Sequence, residues 1–132
     1  MSDFIIYPLI GLVILFILYS KGIILADFDF ASPKEAMELI ESEEKNVTIL
    51  DVRTKDEYQS GHIKNAILIP VGELEARLGE LQKFKNTKIL VYCASGSRSV
   101  AASRILKKNG FTPYNMNGGI HNWKNSGYSI SK

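Results

Sequence analysis

The chain opens on a nearly unbroken apolar run, Phe4 to Ala26, and then changes character to short apolar segments separated by polar, Gly- and Pro-marked breaks. Fifteen residues of the run are Leu, Ile, Val or Phe. As a helix at ~1.5 Å per residue it extends about 34 Å, enough for a hydrocarbon core of ~30 Å. At ~0.3–0.6 kcal/mol each near a bilayer centre, these side chains outweigh Lys21, which can snorkel to the interface. The pattern therefore predicts one transmembrane helix in residues 1–26, with Pro8 tolerated near its start and Tyr7 and Tyr19 at the two interfaces. A cleaved signal peptide competes, but no Lys or Arg precedes the run and Ile24-Leu25-Ala26 is a poor cleavage site. A buried core helix fits less well, because the stretch is apolar on all faces. Lys21 and Lys34 follow the run and no basic side chain precedes it. The positive-inside rule then places residues 27–132 in the cytoplasm, anchored to the cell membrane by a single pass.

The remainder reads as alternating strands and helices, the signature of an α/β domain. Asp27-Phe28-Asp29-Phe30 alternates as a first short strand. Ser32-Pro33-Lys34-Glu35 is a helix start, with Ser as N-cap, Pro in the first position and Glu three residues after the cap. The helix presents Ala36, Met37, Leu39 and Ile40, and fades over 41–46. Val47 to Leu50 is a second strand. Thr54 caps a short helix that ends at Gly61. Ala66 to Ile69 is a third strand, stopped by Pro70. Gly72 to Leu81 is helical, with Leu74, Leu78 and Leu81 on one face, and Phe84 packs inward. Ile89 to Tyr92 is a buried strand. A helix follows to Asn109-Gly110, a C-cap pair, with Val100, Ala101, Ile105 and Leu106 on one face. Pro113 to Met116 forms the last strand, Asn117-Gly118-Gly119 a tight turn, and Ile120 to Asn125 a closing helix. Trp123 reads as core.

The 132 residues amount to one domain beside the N-terminal segment. The formal net charge of +2 is too small to argue for nucleic acid, and the lysines are scattered. A single cysteine excludes an intramolecular disulfide and a Cys-cluster metal site, and His62 and His121 lack metal-ligand spacing. No metal and no cofactor is expected.

That cysteine, Cys93, lies between the Ile89–Tyr92 strand and the following helix, at the head of a six-residue loop, Cys93-Ala94-Ser95-Gly96-Ser97-Arg98. A loop after a parallel strand is where α/β proteins bind ligands, and a helix N-terminus suits an anion. A free thiol near pKa 8.5 is only about 3% ionised at neutral pH; a helix N-terminus with a neighbouring cation lowers that value to roughly 3.5–7.5. Arg98 is the candidate cation. Gly96 allows successive N–H groups to converge as a nest, and Ser95, Ser97 and Ser99 add hydroxyl donors. A buried structural cysteine is the bland alternative; the strand–loop–helix setting favours a reactive one.

Cys93 to Ser99 resembles the active-site loop of the rhodanese-like sulfurtransferases. Leu50-Asp51-Val52-Arg53, Glu57-Tyr58, Gly61-His62-Ile63 and Ala66 to Pro70 are similar to that family's first signature. Gly118-Gly119-Ile120 with Trp123 and Gly127 is similar to its C-terminal one. The three stretches stand in the family's order and cover roughly Ser32 to Ile130. The resemblance implies a three-layer α/β domain over 27–132 with a central, mainly parallel sheet of about five strands. It also implies storage of a sulfane sulfur on Cys93 as a persulfide, taken from a small sulfur-containing anion such as thiosulfate or from another persulfide. The sulfur passes to a thiol, cyanide or a protein acceptor. Asp51 and Arg53 then support the loop or satisfy a strand end. Arg53 can pair with Asp51 or Glu57 or face substrate, and His62 is a hydrogen-bonding residue or a proton carrier.

Two other readings use the same loop. Cysteine phosphatases and arsenate reductases also run from Cys to Arg, usually with five residues between; Cys93 and Arg98 enclose four, a ring better sized for one sulfur atom. A non-catalytic rhodanese-like binding module is the other, and such modules often lack the cysteine.

Overall fold

The computed structural model describes residues 3–42 and 46–132; the predicted fading of the second helix over 41–46 therefore lies partly outside the described residues. The elements run α1 (Asp3–Ser20), β1 (Asp29–Ala31), α2 (Pro33–Ser42), β2 (Val47–Asp51), α3 (Lys55–Ser60), β3 (Ile67–Leu68), two 3-10 segments (Val71–Glu73 and Glu75–Phe84), β4 (Lys88–Tyr92), α4 (Ser97–Lys108), β5 (Thr112–Met116) and α5 (Gly119–Asn125). The five strands form one sheet in the order β1-β5-β4-β2-β3. Every pairing is parallel, with Asp51 of β2 beside Tyr92 of β4 and Val91 of β4 beside Asn115 of β5. The predicted α/β class and parallel five-stranded sheet are both present.

Alternation along the central strands builds the three layers. Leu50, Ile89, Val91 and Cys93 share one core with Leu74 and Leu81 of the 3-10 region and Ala102 and Leu106 of α4. Ile49, Leu90 and Tyr92 face the opposite core, with Ala36 of α2 and Ile120 and Trp123 of α5. Each fully buried Leu or Ile contributes about 1.5–3 kcal/mol relative to exposure. Local chemistry sets the helix starts. At α2 the Glu35 N–H donates to Ser32 Oγ at 3.1 Å and the Ser32 N–H donates to Glu35 Oε1 at 3.2 Å, the expected capping box.

Two expectations need correction. The stretch Gly72–Leu81 is not α-helical but a run of tight 3-10 turns, in which Leu74 and Leu81 are still fully buried. Gly72 and Gly79 are among the poorest α-helix residues, which weakens a continuous α-helix over this stretch.

The second correction concerns the predicted transmembrane helix. It ends at Ser20 instead of continuing to Ala26. Beyond Ser20 the Gly22 N–H donates to Tyr19 O at 3.0 Å and the Ile23 N–H donates to Leu18 O at 2.9 Å. This is a Schellman termination, with Gly22 in the left-handed region at φ +73°. The remaining 18 residues reach about 27 Å, short of a ~30 Å hydrocarbon core. No helix among the described residues is long and apolar enough to cross a membrane. What α1 does present is an exposed apolar surface: Phe4, Tyr7, Leu12 and Phe16 are each more than 60% exposed.

Candidate active site

Cys93 follows β4 directly and is buried, with 1% of its surface exposed. The chain turns through Ala94 and Ser95 to Gly96, the N-cap of α4. Because α4 begins at Ser97, Arg98 belongs to the first helical turn rather than closing a six-residue loop. The Gly96 N–H donates to Cys93 Sγ at 3.0 Å. The thiol donates to Ser99 Oγ at 3.4 Å, and the Ser99 hydroxyl donates onward to the Gly96 carbonyl at 3.0 Å. Ser99 was expected as a donor to the site; here it accepts from sulfur and ties the helix start to the loop.

The loop carbonyls point elsewhere. The Ile120 N–H donates to Cys93 O at 2.9 Å and the His121 N–H donates to Ala94 O at 3.2 Å. This seating requires glycine at 119, where φ is +61° and a Cβ would lie 2.5 Å from Ala94 O. The Gly118-Gly119 turn therefore clamps the outside of the loop, and sulfur is left facing an amide. Sequence reasoning placed this turn in a signature without assigning it a role at the site.

Arg98 was expected as the cation beside Cys93. Its two terminal nitrogens instead donate to the Glu57 carboxylate at 2.6 and 2.9 Å. Glu57 is held in turn by Thr54, whose N–H and hydroxyl both donate to Oε1 while the Glu57 N–H donates back to Oγ1. The Arg98 hydrogen bonds are the largest cause holding the Glu57 carboxyl down at about 2, with smaller help from Thr54. Arg98 is raised, first by Glu57 and to a lesser degree by the charges of Cys93 and Asp51. The positive charge thus reaches Cys93 only after being matched by a carboxylate. Sequence reasoning quoted Glu57 for the resemblance and as one possible partner of Arg53, and missed its link to Arg98.

Beneath the loop lies a buried polar network. Arg53 Nε donates to Asp51 Oδ1 at 3.0 Å and Arg53 Nη2 to Asp51 Oδ2 at 2.7 Å. Nη2 also donates to Gly61 O at 2.7 Å. The Tyr92 hydroxyl donates to Asp51 Oδ2 at 2.6 Å and accepts from the Ile63 N–H at 3.0 Å. Burial first, then the Asp51 charge, pushes the Tyr92 hydroxyl well above its ordinary pKa. Of the three roles open to Arg53, pairing with Asp51 is the one realised. His62 stacks on Tyr58 with ring centroids 3.8 Å apart, its Nδ1 lies 2.9 Å from Tyr58 O, and its backbone bridges Ser131. These are supporting contacts. Ser95 and Ser97 line a small cavity at the loop's rim. A larger cavity, about 470 Å³, lies at the amino ends of β2 and β3 beside Ile40, Thr48 and Phe84, away from Cys93.

A parallel sheet whose central strand leads a buried cysteine into a loop at a helix start, with one loop amide on its sulfur, defines an α/β protein with a cysteine loop at the carboxyl edge of the sheet. The sequence profile of the rhodanese-like domain matches residues 32–126, and the chain belongs to that family. It is 37% identical over 71 residues to the thiosulfate sulfurtransferase PspE of Escherichia coli, covering 54% of this chain and 68% of that protein. It is 41% identical over 81 residues to the putative sulfur carrier protein YrkF of Bacillus subtilis, covering 61% of this chain but only 43% of that protein. Among solved structures, a rhodanese-related protein from Thermoplasma volcanium superposes with a TM-score of 0.71 at 34% identity, over 79% of this chain and 98% of the other.

Proposed function

We propose that this protein is a sulfurtransferase that carries a sulfane sulfur on Cys93. The observation that carries the reading is the Gly96 N–H aimed at Sγ at 3.0 Å, in a loop whose Cys93 and Ala94 carbonyls are both engaged on its outer side. An amide facing sulfur stabilises a thiolate and, after transfer, a persulfide anion, and α4 adds the positive end of its dipole. Support also comes from relatives named as a thiosulfate sulfurtransferase and a putative sulfur carrier.

The proposed cycle has two displacements. The Cys93 thiolate attacks the outer sulfur of thiosulfate; the Sγ–S bond forms, the S–S bond of the donor breaks, and its electron pair leaves with sulfite. A nucleophile such as cyanide or a thiolate then takes the outer sulfur and returns Cys93 as thiolate. Charge balances in both steps, and no external oxidant or reductant is needed. The thiol proton passes to water before the first step; until then Ser99 Oγ accepts the thiol's hydrogen bond, without itself acting as the base. Such a cycle gives ping-pong kinetics. Thiosulfate:cyanide assays should give parallel double-reciprocal lines; intersecting lines would contradict a free persulfide enzyme.

A cysteine-phosphatase or arsenate-reductase reading needs Arg98 to bind the oxyanion. The ion pair with Glu57 occupies that guanidinium, which weighs against it. A non-catalytic binding module gives no reason for a cysteine sulfur seated against an amide.

A further inference from the structure

No side chain of α1 belongs to either core. From Phe4 to Ile17 every large apolar side chain of this helix is at least 43% exposed. The exposure is not a stripe. Leu12, Val13, Ile14 and Leu15 follow one another at about 100° per residue and so point all round the axis, and each is more than half exposed. The only charged residue of α1 is Asp3, at its first position. A protein partner that receives a helix in a groove covers one apolar face of it. A helix apolar on every face is satisfied by a medium that surrounds it, and hydrocarbon is such a medium.

The other end of α1 is fastened to the domain. In the turn after Ser20, Gly22 packs so closely on Phe30 and Val100 that a Cβ would lie 2.9 Å from the Phe30 ring and 3.1 Å from Val100. Arg104 of α4 clasps the same turn. Its guanidinium stacks 3.8 Å from the Tyr19 ring centroid and donates to the carbonyls of Tyr19, at 2.6 Å, of Ile24, at 3.0 Å, and of Leu25. Among the described residues no carboxylate pairs with it. Val100 directly follows Ser99, which accepts from the Cys93 thiol, and Lys21 lines a small cavity with Ser95, Gly96 and Ser97. The end of α1 and the rim of the cysteine loop are therefore neighbours, with two cations, Lys21 and Arg104, between the apolar helix and the loop.

We infer that the partner of α1 is a phospholipid bilayer, in which the helix is immersed with its Ser20 end at the headgroups, and that the Arg104 clasp thereby holds the cysteine loop at the membrane surface. A shallow angle accommodates a helix too short to cross and keeps Asp3 near the headgroups as well. Lys21 and Arg104 then lie where anionic headgroups attract cations. With the turn clasped, the domain cannot swing freely on its anchor, and the rim formed by Ser95 and Ser97 faces what moves along the bilayer. The inference stands on α1 and its clasp and does not depend on whether Cys93 carries sulfur.

The test uses the full-length chain, purified in a non-ionic detergent and reconstituted with vesicles of phosphatidylcholine and phosphatidylglycerol in equal parts. The chain should float with the vesicles and stay with them through an alkaline carbonate wash. A double variant, Leu9→Glu with Val13→Glu, alters two exposed positions and leaves both cores untouched. Its floated fraction should fall about tenfold or more. Wild type left in the vesicle-free fraction as a discrete oligomer would make a second copy of the chain the partner and overturn the inference, as would undiminished flotation of the double variant. The position of the loop is read in a Cys93→Ser background, with a bimane label on Ser95→Cys or on Lys64→Cys. Lys64 is exposed and precedes β3, four strands across the sheet from β1, or about 19 Å at ~4.8 Å per strand. Lipids carrying a headgroup nitroxide should quench the label at 95 at least about twice as strongly as at 64, and Arg104→Gln should abolish the difference. Equal quenching at the two positions, or a difference unmoved by Arg104→Gln, would refute a loop held at the surface by the clasp.

Discussion

Arg98 and Glu57, 41 residues apart in sequence, join the first turn of α4 to α3 through two charge-assisted hydrogen bonds of 2.6 and 2.9 Å. The pair fastens the helix that follows Cys93 to the segment that follows β2, and it fixes a pH dependence. The Glu57 pKa falls from 4.5 to about 2 on folding, chiefly through Arg98. A depressed carboxyl stabilises the fold fully above its unfolded value and loses that contribution as pH falls through the folded one. Both side chains are about one third exposed, at 37% and 32%, so solvent screens the pair. The expected worth is about 1 kcal/mol or less. Urea denaturation of wild type and Glu57→Gln should differ by this amount near pH 6, and the two curves should converge between about pH 4.5 and 2. A difference that persisted unchanged at pH 2 would contradict it.

The Asp51 network is expected to be a matter of stability. Asp51→Ala leaves the buried Arg53 guanidinium without its counter-charge, which should cost about 3–5 kcal/mol. Tyr92→Phe removes one hydroxyl that both donates to Asp51 and accepts from Ile63, and should cost about 1–3 kcal/mol. Chemical denaturation measures both. Wild-type stability in Asp51→Ala would show that Arg53 finds water in the folded state.

Gly119→Ala should damage the site more than the φ angle alone explains. Its Cβ would lie 2.5 Å from Ala94 O, at a φ of +61°. Gly127, at φ +91° with nothing within 4 Å of a Cβ, is the control for backbone strain. Gly127→Ala should lose roughly 1–2 kcal/mol of stability and keep its activity. Gly119→Ala should lose more stability and at least about tenfold in sulfur transfer, because the loop must shift. Equal activity in the two variants would remove the clamp role of the Gly118-Gly119 turn.

Features encoded within a few residues were readable in the chain. The Ser32–Glu35 and Thr54–Glu57 pairs are contacts three residues apart, and they cap α2 and α3 as a local pattern should. The apolar run from Ile89 led into a buried strand, because alternation decides which side chain meets which core. What sequence could not show depends on which elements the sheet order brings together. Glu57 meets Arg98 because β2 and β4 are neighbours, and Gly119 meets the Cys93 loop because β5 is the other neighbour of β4. Neither relation has a signature in spacing. The overlong N-terminal helix has a different cause. Hydropathy sums transfer energies and takes no account of chain path, so the glycine that ends α1 counted as one more residue in the apolar run. Lys21 was accordingly read as a snorkelling charge, although the turn places it at the rim of the cysteine loop.

The central claim is that Cys93 carries sulfur. The most direct measurement is the intact mass of the full-length protein after incubation with thiosulfate, beside Cys93→Ser. The expected result is a gain of one sulfur atom on wild type, absent from Cys93→Ser and removed by cyanide. An unchanged mass, in a protein whose Cys93 still reacts with an alkylating agent, would contradict the proposed cycle.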